Sequence, residues 1–222
     1  MKCKEVVLQV NNISKKINSH LILDDICFSL YRGQICSIVG KNGSGKSMLF
    51  KAICGLIRPS KGQIEVFGKI VGMNGRCAIR TGALIESPGL LPEYSCFKNL
   101  KILSEINNTA SEQDIKDALI KVGLDPSDKR PVRKYSLGMR QKLGIAQAIF
   151  EKPELLVLDE PTNNIDIESI KEIQKLLKDL NQKDNITILL ASHQKADIDI
   201  LSKRVITIDN GKITSDLEVI EK

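Results

Sequence analysis

The run Gly40-Lys41-Asn42-Gly43-Ser44-Gly45-Lys46-Ser47 fits G-x-x-x-x-G-K-[ST], and its flanks constrain the chain as much as the motif does. Ahead of it, Gln34-Ile35-Cys36-Ser37-Ile38-Val39 is short, apolar and β-branched, the pattern of a buried strand. Behind it, Met48 to Cys54 continues without Pro or Gly, with Leu49, Ile53 and Leu56 at helical spacing. A glycine-rich turn between strand and helix presents successive backbone N–H groups to a polyphosphate, and the helix N-terminus adds partial positive charge. Lys46 is then placed to reach the β/γ-phosphates, and the Ser47 hydroxyl to ligate Mg²⁺. A chance glycine-rich turn would not need both flanks. The whole segment is expected to bind a nucleoside triphosphate.

At 222 residues and 42% hydrophobic content the chain can bury one full core, with room for an inserted part. No apolar run approaches the roughly 18 residues needed to cross a bilayer. Met1 to Glu5 has no apolar stretch behind it, so no signal peptide is expected. The six cysteines (3, 27, 36, 54, 77 and 96) form no C-x-x-C pair and have no histidine cluster. They read as reduced, small apolar residues of a cytosolic protein. The net charge of +6 suits phosphates or an anionic membrane face, but aromatics are only 4% and no basic block stands out. A nucleic-acid partner is not expected.

Val6–Val10 and Ile26–Leu30 read as strands, the second alternating with Ile26, Phe28 and Leu30 on one face. Tyr31-Arg32-Gly33 is a turn, and His20 is placed in a polar turn. Arg58 to Gly62 breaks the chain before a further strand at Gln63–Gly68. From about Pro88 to Phe150 the pattern is mostly helical, with Ser111-x-x-Asp114 as a helix-start capping pair and Ile115, Leu119 and Val122 on one stripe. Then a strand at Leu155–Leu158, a helix carrying Ile170, Ile173, Leu177 and Leu180, and a strand at Ile186–Ala191 alternate. Such alternation predicts a parallel sheet covered by helices.

Two strand ends carry further chemistry. Leu155-Leu156-Val157-Leu158 finishes in Asp159-Glu160, and a buried strand ending in adjacent carboxylates calls for a positive partner. At the C-terminal edge of an α/β sheet, Asp159 is placed to hold the Mg²⁺ shell and Glu160 to orient or deprotonate the attacking water. Ile186–Ala191 ends in Ser192-His193, which sets His193 on the same edge as a γ-phosphate contact.

Tyr135-Ser136-Leu137-Gly138-Met139-Arg140-Gln141, between the phosphate loop and the two acids, resembles the signature of the ATP-binding-cassette ATPases. That signature is L-S-G-G-Q, and this chain departs from it at Leu137 and Met139. The resemblance runs from about Ile13 to Ile213. It implies an α/β fold: a RecA-like P-loop core with a mostly parallel sheet, an N-terminal antiparallel β part and an inserted helical subdomain. The division would be about 1–86 and 151–222 for the core and about 87–150 for the helical part, in a single domain spanning 1–222. It implies that Ser136, Leu137, Gly138 and Met139 meet ATP bound to the opposite subunit, with Asn164-Ile165-Asp166 as D-loop and His193 as switch histidine.

Two more positions depart from the family. Spacing puts Ile17 where an aromatic usually stacks on adenine, with Ile22 as a second aliphatic contact and His20 as an alternative ring. Glu86, in Ala83-Leu84-Ile85-Glu86-Ser87-Pro88-Gly89, stands in place of the Q-loop glutamine, keeping an oxygen for Mg²⁺ or water and adding a charge. The Ala83–Gly89 segment and Tyr135–Gln141 together resemble those of the lantibiotic-immunity and bacitracin-type exporters. The resemblance implies an ATPase subunit, two copies of which sandwich two ATP molecules head-to-tail. They would drive separate transmembrane permease subunits, docked near 82–100, from the cytoplasmic face of the membrane. Exporters of lipids, drugs or other small molecules share the same segments. A soluble cassette acting on DNA or ribosomes would carry a coiled-coil insertion or a second cassette, and a plain P-loop kinase or GTPase leaves Ser136, Gly138 and His193 unexplained.

Overall fold

The computed structural model describes residues 5–72, 78–193 and 195–219. Two sheets organise it. The first is antiparallel, built on β1 (Val6–Ile17) and β2 (His20–Tyr31), with β4 (Lys61–Val66) and β5 (Lys69–Ile70), in the order β2-β1-β4-β5. The second contains β3 (Ile35–Val39), β6 (Thr81–Leu84), β7 (Leu155–Asp159), β8 (Thr187–Ala191), β9 (Arg204–Asp209) and β10 (Lys212–Glu218). Its order is β10-β9-β3-β8-β7-β6, parallel throughout except for the antiparallel edge strand β10.

The continuous apolar runs follow from burial on both faces of this second sheet. Leu155, Val157, Leu189, Ala191, Cys36, Ile38, Ile206 and Ile208 point into one core, shared with β1, β2, β4 and helix α1 (Lys46–Ile53). Leu156, Leu158, Ile188, Leu190 and Ile35 point into the other. That side is covered by α2 (Cys96–Asn107), α3 (Glu112–Lys121), α4 (Leu137–Ile149) and α5 (Ile167–Asp184). A short α6 (Lys195–Leu201) precedes β9. Leu56, expected on the first helix, lies beyond its end and is exposed, because the helix stops at Ile53. His20 opens strand β2 opposite Ile17 rather than sitting in the turn, since the hairpin reverses at Asn18-Ser19.

Local signals act as expected at several ends. Ser111 and Asp114 form a complete capping box at the start of α3. Cys36, Cys54 and Cys96 are buried free thiols and Cys27 an exposed one, while positions 3 and 77 lie outside the described residues. Burial pushes the Cys36 thiol up to about 12, which leaves it protonated and unreactive. No helix among the described residues is long and apolar enough to cross a membrane.

Strand β6 packs against α4 at very close range. A methyl group at Gly82 would lie 1.8 Å from the Ala148 carbonyl oxygen, which is backbone and cannot rotate away. Gly82→Ala is therefore expected to cost roughly 1–3 kcal/mol through overpacking, read as a lower urea midpoint at unchanged slope. A midpoint equal to that of the parent protein would mean that β6 and α4 can separate freely.

Candidate functional site

Strand β3 ends at Val39 and releases the loop Gly40–Ser47 directly into α1. The loop lies tight on the sheet, where a methyl group at Gly40 would meet the Ile208 carbonyl oxygen at 2.2 Å. Gly45 turns the chain into the helix at φ 107°, a conformation in which a side chain is strained. No side chain caps α1 and no acid stands in its first turn, so its N-terminal amides are left for a ligand to satisfy. Lys46 is almost fully buried, and its ammonium donates to the carbonyls of Gly40 at 2.8 Å and Lys41 at 3.2 Å. The Ser44 hydroxyl is buried without a hydrogen-bond partner. An unpaired buried hydroxyl beside an uncapped helix start is a site built to receive an acceptor-rich ligand.

The two acids leave β7 at the same level. Asp159 ends the strand opposite Ala191 of β8 and is buried. Glu160 turns out of the sheet at φ 52°, with its N–H donated to the Ala191 carbonyl at 3.0 Å. Its carboxylate meets the Nδ1 of His193 at 2.7 Å, although 33 residues separate them in sequence. A cavity of about 570 Å³ gathers Ile22, Asn42, Gly43, Gly45, Lys46, Ser47, Glu86, Asp159 and Glu160. Met48 and Asn163, which the motif reading did not include, complete its wall.

Ile17, Ser136, Leu137, Gly138, Met139 and Asp166 sit apart from this cavity. Ile17 ends β1 on the half-exposed tip of the hairpin and does not line that cavity, whereas Ile22 does. Glu86 holds a left-handed backbone at φ 63° and forms an ion pair with Lys51 of α1 at 2.6 Å. The pairing spans 35 residues, and the only sequence hint was that Lys51 lies one turn beyond Ser47. Ser136 caps α4, accepting from the Met139 N–H at 3.2 Å, and is exposed together with Leu137. Met139 is half-buried against the helical core. Gly138 is buried where a methyl group would lie 2.7 Å from the Ser169 hydroxyl. Asp166 caps α5, accepting from the Ser169 N–H at 2.9 Å and hydroxyl at 2.8 Å. Those two bonds hold the Asp166 carboxyl below the usual range.

A family model described as ABC transporter matches residues 23–163, more than half of the chain. The chain belongs to the ABC transporter family. Among its relatives, the uncharacterised ABC transporter ATP-binding protein YybJ of Bacillus subtilis is 41% identical, covering 97% of this chain and 99% of that protein. The bacitracin transport ATP-binding protein BcrA of Bacillus licheniformis is 36% identical over 95% of this chain and 69% of its own length. The lantibiotic transport ATP-binding protein SrtF of Streptococcus pyogenes is 34% identical over 96% of this chain and 91% of its own. The solved ATP-binding cassette MJ0796, a dimeric post-hydrolysis state bound to ADP and Pi, superposes with a TM-score of 0.86 at 20% identity. It covers 97% of this chain and 100% of that one, and establishes the cassette fold. This ABC chain is an ATP-binding, ATP-hydrolysing subunit.

If the loop cavity is where ATP sits, Lys46→Ala should weaken equilibrium binding of a fluorescent ATP analogue by at least about tenfold, the loss of one charged phosphate contact. Affinity within twofold of the parent protein would move the nucleotide elsewhere.

Proposed function

We propose that this chain powers an exporter that removes antimicrobial peptide from the membrane, with two copies closing head-to-tail around two ATP molecules. The observation that carries the catalytic part is the 2.7 Å contact of Glu160 with His193 at the rim of the phosphate-loop cavity. In this reading Lys46 and the α1 amides hold the β- and γ-phosphates. Glu160 takes the proton of the attacking water, and His193 holds Glu160 in place and faces the γ-phosphate.

The donor set fits Mg²⁺: the Ser47 hydroxyl and the Asp159 carboxylate are hard oxygen ligands on the same cavity wall. Among the described residues no cluster of three or more His, Cys, Asp or Glu is placed to hold a metal, and a Mg²⁺ site completed by substrate phosphates does not need one. Mg²⁺ bound there would neutralise charge developing on the transferred phosphoryl group. Glu86, tied to Lys51, is assigned to the water side of this shell.

Ser136 and Gly138 do not line the chain's own phosphate-loop cavity, which supports their use on the ATP of a second copy. The permease is assigned to a groove of about 540 Å³ beside β6, formed by Arg80, Gly82, Ala83, Leu103 and Ile106, the last of them 71% exposed. The helical part at about 87–150 is proposed as the moving body, and the cytoplasmic face of the membrane as the location. Peptide as cargo is supported by the relatives named for bacitracin and lantibiotic transport.

Glu160→Gln keeps the shape and removes the base, so kcat for ATP is expected to fall about 100-fold or more with ATP affinity nearly unchanged. Unaltered turnover would remove Glu160 from the chemistry. Cells expressing the complete transporter should tolerate more lantibiotic or bacitracin than cells carrying the Glu160→Gln form. Equal susceptibility would redirect the cargo toward a lipid, drug or other small molecule.

A further inference from the structure

The segments that carry Glu160 and His193 are not regular elements: both are short exits from strand ends, at Glu160–Asn163 and Ser192–His193. Such exits do not hold a 2.7 Å contact by backbone regularity alone. Asp197, in the first turn of α6, is 1% exposed. A carboxylate at that depth is stable only if its oxygens are satisfied. Here the donors come from three separate parts of the chain. Gln174 Nε2 on α5 donates to Oδ1 at 2.6 Å, the Ser192 hydroxyl donates to Oδ2 at 2.8 Å, and the Thr162 hydroxyl donates to the same Oδ2.

The sequence neighbours of those donors give the arrangement its meaning. Thr162 follows Glu160 by two residues, Ser192 immediately precedes His193, and Gln174 lies on the helix capped by Asp166. One buried carboxylate therefore ties together the exits bearing both members of the Glu160–His193 pair and the helix that begins at the D-loop.

We infer that Asp197 is a positioning residue for ATP hydrolysis, setting the distance between His193 and Glu160 without touching substrate. An ionised carboxylate accepts from all three donors at once, with charge-assisted strength. An asparagine of the same shape offers a single acceptor oxygen, so even with that oxygen turned to Thr162 and Ser192 its amide opposes the Gln174 amide. At least one of the three bonds must be reversed or lost, while the charge is removed from all of them. The inference rests on the proposed roles of Glu160 and His193. It assigns to α6 a part in the chemistry that no motif marks.

The test compares steady-state kcat, equilibrium binding of a fluorescent ATP analogue and thermal unfolding for Asp197→Asn, His193→Ala, the double variant and Glu160→Gln. Asp197→Asn is expected to lower kcat about tenfold or more on a folded protein, with the dissociation constant within about twofold, because sub-ångström misplacement acts on the reacting geometry. On the His193→Ala background it should add almost nothing, since its effect runs through that histidine. A full, independent loss on that background, or a kcat equal to that of the parent protein, overturns the inference. Should Asp197→Asn fail to fold, Thr162→Val and Ser192→Ala each remove one bond to the carboxylate. Both are expected to lower kcat several-fold, and parent-like turnover in both overturns it. Loss in Glu160→Gln with none in Asp197→Asn sinks this inference alone. Unaltered turnover in Glu160→Gln takes down the assigned site and this inference with it.

Discussion

Everything chemical in this molecule hangs from one rung of a parallel ladder. Ile38 of β3 pairs with Ala191 of β8, and Ala191 pairs in turn with Asp159 of β7. Strands β7 and β8 stop on that rung, at Asp159 before Glu160 and at Ala191 before Ser192-His193, and β3 stops one residue beyond it, at Val39 before the glycine loop. Parallel register thus sets the phosphate loop, the acids and the histidine at one height on one edge. That register is itself held by burial on both faces, because a slip of one residue would exchange Leu155 and Val157 with Leu156 and Leu158 between two different cores.

That rung explains which parts of the site are legible in the sequence. The strands β3, β7 and β8 are buried on both sides, so their apolar runs stand out, and the residues that follow them are the unusual ones. Polar strands gave no such signal. The β1–β2 hairpin extends through Lys15, Lys16 and His20 with several register shifts, and its outer half has no clean alternation. Strand β6 reads Thr81-Gly82-Ala83-Leu84, short and glycine-bearing, and β10 is largely exposed. Glu86 was legible as a departure from its family, but its ion pair with Lys51 was not, since it joins segments that meet only after the sheet has formed. Asp197 carried no sequence signal at all, because it stands in a polar stretch and owes its importance to three donors brought from elsewhere.

The two cores divide the labour. One holds α1 and the antiparallel sheet against the phosphate-loop strand, where rigidity keeps amides aimed at a ligand. The other holds α2 to α5, and its contact with the strands includes Leu84 at the end of β6, two residues before Glu86. At the start of α4 a methyl group at Gly138 would press on the Ser169 hydroxyl, which is bonded to the Asp166 cap of α5. The atoms met there are side-chain atoms of Ser169 and Asp166, held to each other by a hydrogen bond of 2.8 Å.

Glu86 and Glu160 share a trait separate from their charge, a left-handed backbone at φ 63° and φ 52°. Sterics penalise most side chains there, β-branched ones most of all, and spare glycine. Drift at these positions therefore meets two filters in opposition. Glycine relaxes the main chain and discards the carboxylate, while valine, one nucleotide away from a glutamate codon, offends both. The conformation narrows the mutational paths leading away from each acid before any selection on turnover begins.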